Sequence, residues 1–458
     1  MGRKSTIWRN KEVTKKLGFI SLGCSKNLVD TEMMVGIMEK AGYELTEDLA
    51  EAHVIIINTC TFIDPAKEES IQTILETAEY KKTGVCERLV AAGCLSQQYK
   101  EALAKEIPEV DIFIGTDSWQ DILDAVNESY ANGGEKVFKF GTIPCANEEL
   151  IPRASLTPKY TAYVKIAEGC SNGCTFCYIP YVRGPMRSRP ISSIVHEVRR
   201  LAAEGVREFN LIAQDLSCYG RDLGTNLASL LRELVKIEGV KWIRLFYLYP
   251  TYFDDELLDV ILHEDKICKY VDIPLQHISN AVLTRMHRRD SSESIYALLR
   301  KLRAARPRMT IRTTLMVGFP GETEADFQEL CDFIREIKFD DMGAFTFSPQ
   351  DGTPAARMAD QIDEEVKEDR YHQLMAIQAG ISEENNERLI DTDAEVLVEE
   401  IIEDGEGHRQ AKGRTSYQAP EVDGNVYIDN PGDLKPGDFV NVHIIDGYAY
   451  DLIAEVKE

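Results

Sequence analysis

The chain contains no run of about eighteen apolar residues, the length a helix needs to cross a bilayer, so no membrane span is expected. No apolar stretch follows the basic, polar residues 1–16, so no secretory signal is read there. Both absences lead us to expect the cytoplasm. Positive charge is also scarce: 52 Lys and Arg face 77 Asp and Glu, for a net charge of −25. Such a field repels phosphate backbones, so direct nucleic-acid binding is not expected and a basic protein partner suits it better. Solubility alone would also account for the charge. The cysteine count is odd, at 11, which with no export signal argues against a disulfide framework. Clustered thiols in such a chain read as metal ligands or catalysts.

A length of 458 residues exceeds one ordinary core and implies two to four domains. The first segment, 17–140, alternates strand and helix. Three apolar runs, 17–24, 54–60 and 89–94, end at Cys24, Cys60 and Cys94, and helical patterns follow each, at 27–40, 65–80 and 96–106. A fourth strand is expected at 110–115. The βαβ rhythm predicts a parallel sheet, whose ligands bind beyond the carboxyl ends of its strands, so the three cysteines should meet in one crevice. Residues 141–158 hold Pro144, Pro152 and Pro158 and read as a linker containing Cys145.

The second segment, 159–387, offers six strand-like runs at 162–167, 208–213, 242–248, 270–273, 311–317 and 342–347, separated by helical stretches. Repeated βα units predict a full or partial barrel with its chemistry at the carboxyl ends of the strands. A charged helix at 360–387 reads as a connector. From 388 to 458 the pattern changes to short alternating runs broken by Gly and Pro turns, which predicts a small antiparallel β-barrel of OB-like size. The fold class is therefore α/β, in three domains.

The sharpest motif is Cys170-Ser171-Asn172-Gly173-Cys174-Thr175-Phe176-Cys177, just beyond the first strand of the second segment. Three thiolates on a short loop can hold three irons of a 4Fe-4S cluster and leave the fourth open to a small molecule. A structural zinc site needs four closed ligands, and no fourth cysteine follows at finger spacing. The motif resembles that of the radical S-adenosylmethionine (SAM) superfamily. The resemblance implies that the open iron binds SAM, that SAM is cleaved reductively, and that the resulting radical removes a substrate hydrogen. It also places Phe176 near the adenine, although plain core packing would explain this ring equally well.

Three further cysteines at matching strand ends, two of them next to Gly, make the first segment similar to the N-terminal domain of methylthiotransferases. The resemblance carries Cys24, Cys60 and Cys94 over as ligands of a second, auxiliary 4Fe-4S cluster, and reads the C-terminal barrel as a TRAM domain. Buried structural cysteines are the plainer reading of any one of them. Cys86, Cys145, Cys218, Cys268 and Cys331 match no ligand position and read as structural. Ser21-Leu22-Gly23-Cys24-Ser25-Lys26-Asn27-Leu28-Val29-Asp30 and Arg183-Gly184-Pro185-Met186-Arg187-Ser188-Arg189-Pro190 look like the branch that modifies the β-carbon of an aspartate of ribosomal protein S-twelve. That branch usually has Pro where Ser25 stands, while the branch acting on isopentenyladenosine of tRNA usually reads Gly-Cys-Gln-Met-Asn. Residues 385–458 carry 18 acidic and 6 basic side chains, which suits a basic ribosomal protein better than tRNA. The resemblance further implies the small ribosomal subunit as the substrate's setting and an electron donor such as flavodoxin or ferredoxin. The rival readings are a tRNA methylthiotransferase, a radical SAM enzyme whose first cluster only relays electrons, and a non-catalytic iron–sulfur scaffold.

Other positions are candidate SAM contacts. Gln214 and Asp215 end the second barrel strand. Pro274-Leu275-Gln276-His277 ends the fourth, with Gln276 as a hydrogen-bonding candidate and His277 more often structural at such a place. Gly318-Phe319-Pro320-Gly321-Glu322-Thr323 follows the fifth strand; Gly318 would let backbone approach SAM or merely turn the chain. Arg312 lies inside that strand, where a buried charge needs a carboxylate from SAM or from the protein. Arg183, Arg187 and Arg189 would meet an acidic group or decorate a surface loop.

Overall fold

A computed structural model describes residues 15–141, 148–403 and 408–457. Cys145 lies outside them. The chain divides into two compact units, Met1–Leu156 and Thr157–Glu458, and no helix among the described residues is long and apolar enough to cross a membrane.

In the first unit the runs ending in cysteine become Lys16–Ser21, Val54–Thr59 and Arg88–Gly93. All pair in parallel, as do Glu44–Leu45, Ile112–Ile114 and Val137–Lys139. Ile55, Ile56 and Ile57 are completely buried. Helices cover both faces of such a sheet, which explains an uninterrupted apolar run instead of an alternating one. The edge strands Glu44–Leu45 and Val137–Lys139 were not expected, since each is too short to show a pattern. In chain order the six strands lie 2-1-3-4-5-6, which reverses direction between the first and third. The crevice at such a reversal is where doubly wound sheets take ligands.

The stretch expected to be a linker is partly anchored. Arg153 pairs with buried Glu32 (Nε to Oε2, 2.8 Å), and the Leu156 amide donates to the same carboxylate at 3.0 Å.

The second unit holds the six expected barrel strands, at Thr161–Lys165, Glu208–Ile212, Trp242–Leu245, Tyr270–Asp272, Thr310–Val317 and Asp341–Thr346. They form two parallel three-stranded sheets. A parallel bridge between Ile243 and Ile267 joins the two. Among the described residues no ladder joins the first strand to the sixth, so the barrel is partial. Val164, Leu211, Ile243, Val271, Ile311 and Leu315, all fully buried, pack with the surrounding helices in one core. The connector, Glu364–Glu387, is part of the body: Gln378 and Asn385 donate to the Phe339 carbonyl at 3.0 and 3.1 Å.

The C-terminal segment closes a five-stranded barrel in the order Asp393–Glu403, Arg409–Thr415, Val426–Asp429, Leu452–Val456, Phe439–Gly447. Four pairings are antiparallel, as expected, and Val426–Asp429 pairs with Leu452–Val456 in parallel. Closing the barrel forces the last strand between its neighbours and sets that one pair parallel. Arg409–Thr415 was not expected because its inward positions are filled by Ala411 and Gly413, too small to mark an apolar face.

Candidate active site

Cys24, Cys60 and Cys94 each stand where a strand hands over to a helix. Cys24 is the N-cap of the helix Ser25–Lys40, Cys94 opens Cys94–Glu106, and Cys60 follows its strand directly. Helix N-termini present partial positive charge, which favours thiolate. The three turns are stitched together by Asn27, which is completely buried. Its Nδ2 donates to the carbonyls of Leu22 and Thr59, each at 2.9 Å, and its Oδ1 lies 3.8 Å from Cys94 Sγ. Ser70 fixes Cys60, its hydroxyl accepting from the Cys60 amide and donating to the Cys60 carbonyl, both at 3.0 Å. Gly23 has φ +83°, and a Cβ there would stand 2.8 Å from Cys60 Sγ. Loops after three adjacent strands thus converge, as the spacing implied. The sequence reading did not single out Asn27 and Ser70. The only available signal was Asn27's place three residues beyond Cys24.

The second trio sits on a loop whose neck the sequence did not reveal. Ala167–Glu168 pairs with Arg187–Ser188 in a short antiparallel ladder, and the Cys170 amide donates to the Gly184 carbonyl at 3.1 Å. Inside the loop, the Cys177 amide donates to the Cys174 carbonyl at 3.1 Å, and Asn172 Nδ2 to Asp215 Oδ2 at 2.7 Å. Burial pushes the thiols of Cys170 and Cys177 up to about 11 and about 12; Cys170 also feels the charge of Cys174, and Cys177 that of both Cys174 and Cys170. Buried thiols of this kind ionise when a cation supplies the missing counter-charge. Among the described residues no three Cys, His, Asp or Glu crowd around a point the size of one ion. Ligands on separate corners of a cubane stand farther apart than ligands sharing one ion. Both trios fit a cluster by donor type and convergence.

Two predicted contacts fit a polar ligand. Gln214 Nε2 donates to Glu168 Oε1 at 2.9 Å, while its own Oε1 is buried with no hydrogen-bond partner among the described residues. Gln276 is also buried with Oε1 unpartnered, and its φ of +72° is fixed by backbone bonds to Thr314 and Met316. Both end barrel strands on the face where such folds do chemistry. A buried carbonyl oxygen left without a donor is costly, and a ligand donor would relieve it. Phe176 stands edge-on to Phe319, with ring centroids 6.4 Å apart.

At the remaining candidate positions the structure decides between the readings: Arg312, Gly318, Arg183 and Arg189 are corrected as SAM or surface residues, and His277 is structural, as expected. Arg312 is held by protein carboxylates, with Nη1 to Asp272 Oδ1 and Nε to Asp423 Oδ1 both at 3.1 Å. Gly318, at φ +74°, faces the stem of Lys367, where a Cβ would come within 2.3 Å of Cγ, and its amide donates to Glu322 Oε2 at 2.8 Å. It serves a turn and a close helix approach, which leaves no backbone donor for SAM. His277 is fully buried and accepts from the Ser279 amide; burial lowers it to about 3, so it stays neutral and structural. Arg183 clamps Glu168 with two contacts of 3.0 Å, and Arg189 meets Glu197 at 2.6 Å, so neither decorates a surface.

Comparison with known proteins matches 16–115 to Uncharacterized protein family UPF0004, 164–334 to the Radical SAM superfamily and 392–456 to the TRAM domain. The ribosomal protein uS12 methylthiotransferase RimO of Geobacter sulfurreducens is 49% identical over 444 residues, covering 96% of this chain and 98% of that protein. The chain belongs to the RimO family of radical SAM methylthiotransferases. Family members from Geotalea uraniireducens and Clostridioides difficile are 48% and 47% identical, covering 97% and 96% of this chain and 99% and 98% of theirs. Among solved structures, the radical S-adenosylmethionine methyltransferase TsrM from Kitasatospora setae, with cobalamin and a 4Fe-4S cluster bound, aligns at a TM-score of 0.55 and 16% identity. That alignment covers 75% of this chain and 77% of TsrM. At that identity the likeness speaks for the fold alone.

Proposed function

We propose that this chain inserts a methylthio group at the β-carbon of an aspartate of ribosomal protein uS12. The observation that carries the reading is near full-length likeness, at 49% identity, to a relative named for that activity. When bound, SAM and two 4Fe-4S clusters would supply reductive cleavage, hydrogen-atom abstraction and a transferable methylthio group. Cys170, Cys174 and Cys177 would hold one cluster, and Cys24, Cys60 and Cys94 the other. The unpartnered oxygens of Gln214 and Gln276 would accept hydrogen bonds from SAM, and Phe176 would offer it a ring face.

We read the division of labour as 17–140 for the auxiliary cluster, 159–387 for SAM and 388–458 for substrate. The acidic last segment would attract basic uS12, free or in the small subunit, and repel tRNA. Flavodoxin or ferredoxin would supply electrons, in the cytoplasm. Anaerobic reconstitution with iron, sulfide, SAM, reductant and uS12 tests the reading. Mass spectrometry is expected to show a methylthio adduct on the aspartate. A methylthiolated tRNA nucleoside with unmodified uS12 would overturn it.

A further inference from the structure

Acid dominates this protein, yet the surface beside the Cys170–Cys177 loop is basic. The segment Arg285-Met286-His287-Arg288-Arg289 packs directly on that loop. Thr175 donates its amide to the Met286 carbonyl at 3.0 Å and its hydroxyl to the Arg285 carbonyl at 2.8 Å. His287 donates Nδ1–H to the Gly173 carbonyl at 3.0 Å. Arg221 joins from a second loop, its guanidinium 4.4 Å above the Tyr252 ring. Arg289 donates to the hydroxyl of the same tyrosine, and Arg288 lies 4.0 Å over Tyr249. Arg221, Arg285, His287 and Arg289 are exposed, as are Ser171 and Gly173 at the tip of the loop.

Among the described residues Arg221, Arg285, Arg288 and Arg289 form no salt bridge with a carboxylate, in a chain that carries 77 of them. The acids nearby are engaged elsewhere. Asp215 takes Asn172 and Ser217, and Asp222 accepts the Ser188 amide; Asp290 is buried against Thr251 and feels only the half-buried Arg288 of the rim. Tyrosine rings hold Arg221, Arg288 and Arg289 in place, and the Pro320 carbonyl accepts from Arg285 at 3.3 Å; none of these contacts neutralises a guanidinium, so the positive charge of the exposed Arg221, Arg285 and Arg289 remains available to a partner.

We infer that this arginine rim is the docking surface for an acidic one-electron carrier protein that reduces the cluster on the Cys170–Cys177 loop. The inference rests on the function proposed above, which requires one electron per cleavage of SAM. The carrier gives up that electron and the cluster gains it, with no other bond made. Electron transfer weakens steeply with distance, and the rim packs directly on the loop that carries those three thiolates. Redox encounters are small and short-lived and depend on charge complementarity for speed. An RNA would need a longer basic stripe than these few side chains provide.

The test uses the reconstituted full-length holoenzyme and the double variant R221Q/R289Q. Formation of 5′-deoxyadenosine is followed with limiting reduced flavodoxin and, separately, with dithionite. The variant is expected to lose about tenfold in the flavodoxin-driven rate at low salt, and the unaltered enzyme to lose a similar factor as salt rises. The dithionite-driven rate is expected to stay unchanged. The inference is overturned if the flavodoxin rate survives in the variant, if both rates fall together, or if only binding of a short RNA is lost. Calorimetric binding of flavodoxin to the enzyme and its variant judges the surface even without turnover. An absence of 5′-deoxyadenosine with dithionite would count against the proposed function instead.

Discussion

Arg414, on the C-terminal barrel, reaches Glu208 at the start of the second strand of the partial barrel, with Nη2 and Oε2 2.8 Å apart and both side chains closed off from solvent. Arg244 shares Glu208 from the neighbouring strand, and Glu399 shares Arg414. The two barrels are therefore joined by a buried charge network as well as by the chain. Removing Glu208 leaves buried Arg244 without a carboxylate and Arg414 with Glu399 alone. Glu208→Gln is expected to cost about 3 kcal/mol of stability, read by chemical denaturation, and to loosen the C-terminal barrel, read by limited proteolysis.

The same carboxylate makes stability depend on pH. Burial pushes the Glu208 carboxyl up, but Arg414 and Arg244 outweigh it and hold the group at about 2. A group lowered on folding stabilises the native state above its unfolded value of about 4.3 and loses that contribution as pH falls towards its folded value. The difference in Tm between the unaltered chain and Glu208→Gln is expected to be constant from pH 8 to about 5 and to shrink from there towards pH 2. A difference that stays constant down to pH 2 would contradict this.

Gly23→Ala tests the first trio without touching a thiol. The new methyl would stand 2.7 Å from Cys60 Cβ at a φ of +83°, a conformation that costs an L-residue about 1–2 kcal/mol. Cys60 or the turn must shift, so the variant is expected to lose the iron bound there. It should still produce 5′-deoxyadenosine from SAM, because the Cys170–Cys177 loop is unaltered. Full iron content in the variant would show that the turn can yield.

Gln214→Leu removes a buried acceptor while Lys165 and Arg183 still hold Glu168. A single hydrogen bond of this kind is worth about 1 kcal/mol. Affinity for SAM, measured by equilibrium dialysis on the reconstituted enzyme, is expected to fall about fivefold. Unchanged affinity would remove Gln214 from the SAM site.

What the sequence made legible follows from where its signals were strong. Apolar runs such as Val54–Thr59 and Arg88–Gly93 announced buried parallel strands, and the cysteines that follow them marked the reactive edge. The strand Arg409–Thr415 stayed hidden because its core positions are Ala411 and Gly413, and Glu44–Leu45 because two residues carry no period. Arg312 and Gly318 were misjudged for a different reason. Their partners, Asp423 and Lys367, lie 111 and 49 residues away, and no local pattern reports a contact made by folding. Asn27 was in plain view beside Cys24, but only the fold shows that it ties three loops together.

Counting iron tests the central claim most directly. The reconstituted chain is expected to bind about eight irons, and Cys24→Ala/Cys60→Ala/Cys94→Ala and Cys170→Ala/Cys174→Ala/Cys177→Ala about four each, with 5′-deoxyadenosine formed only by the first. Two independent trios would give that result. If either triple variant kept all of its iron, or lost all of it while remaining folded, the thiols would not be working as two separate sets of three.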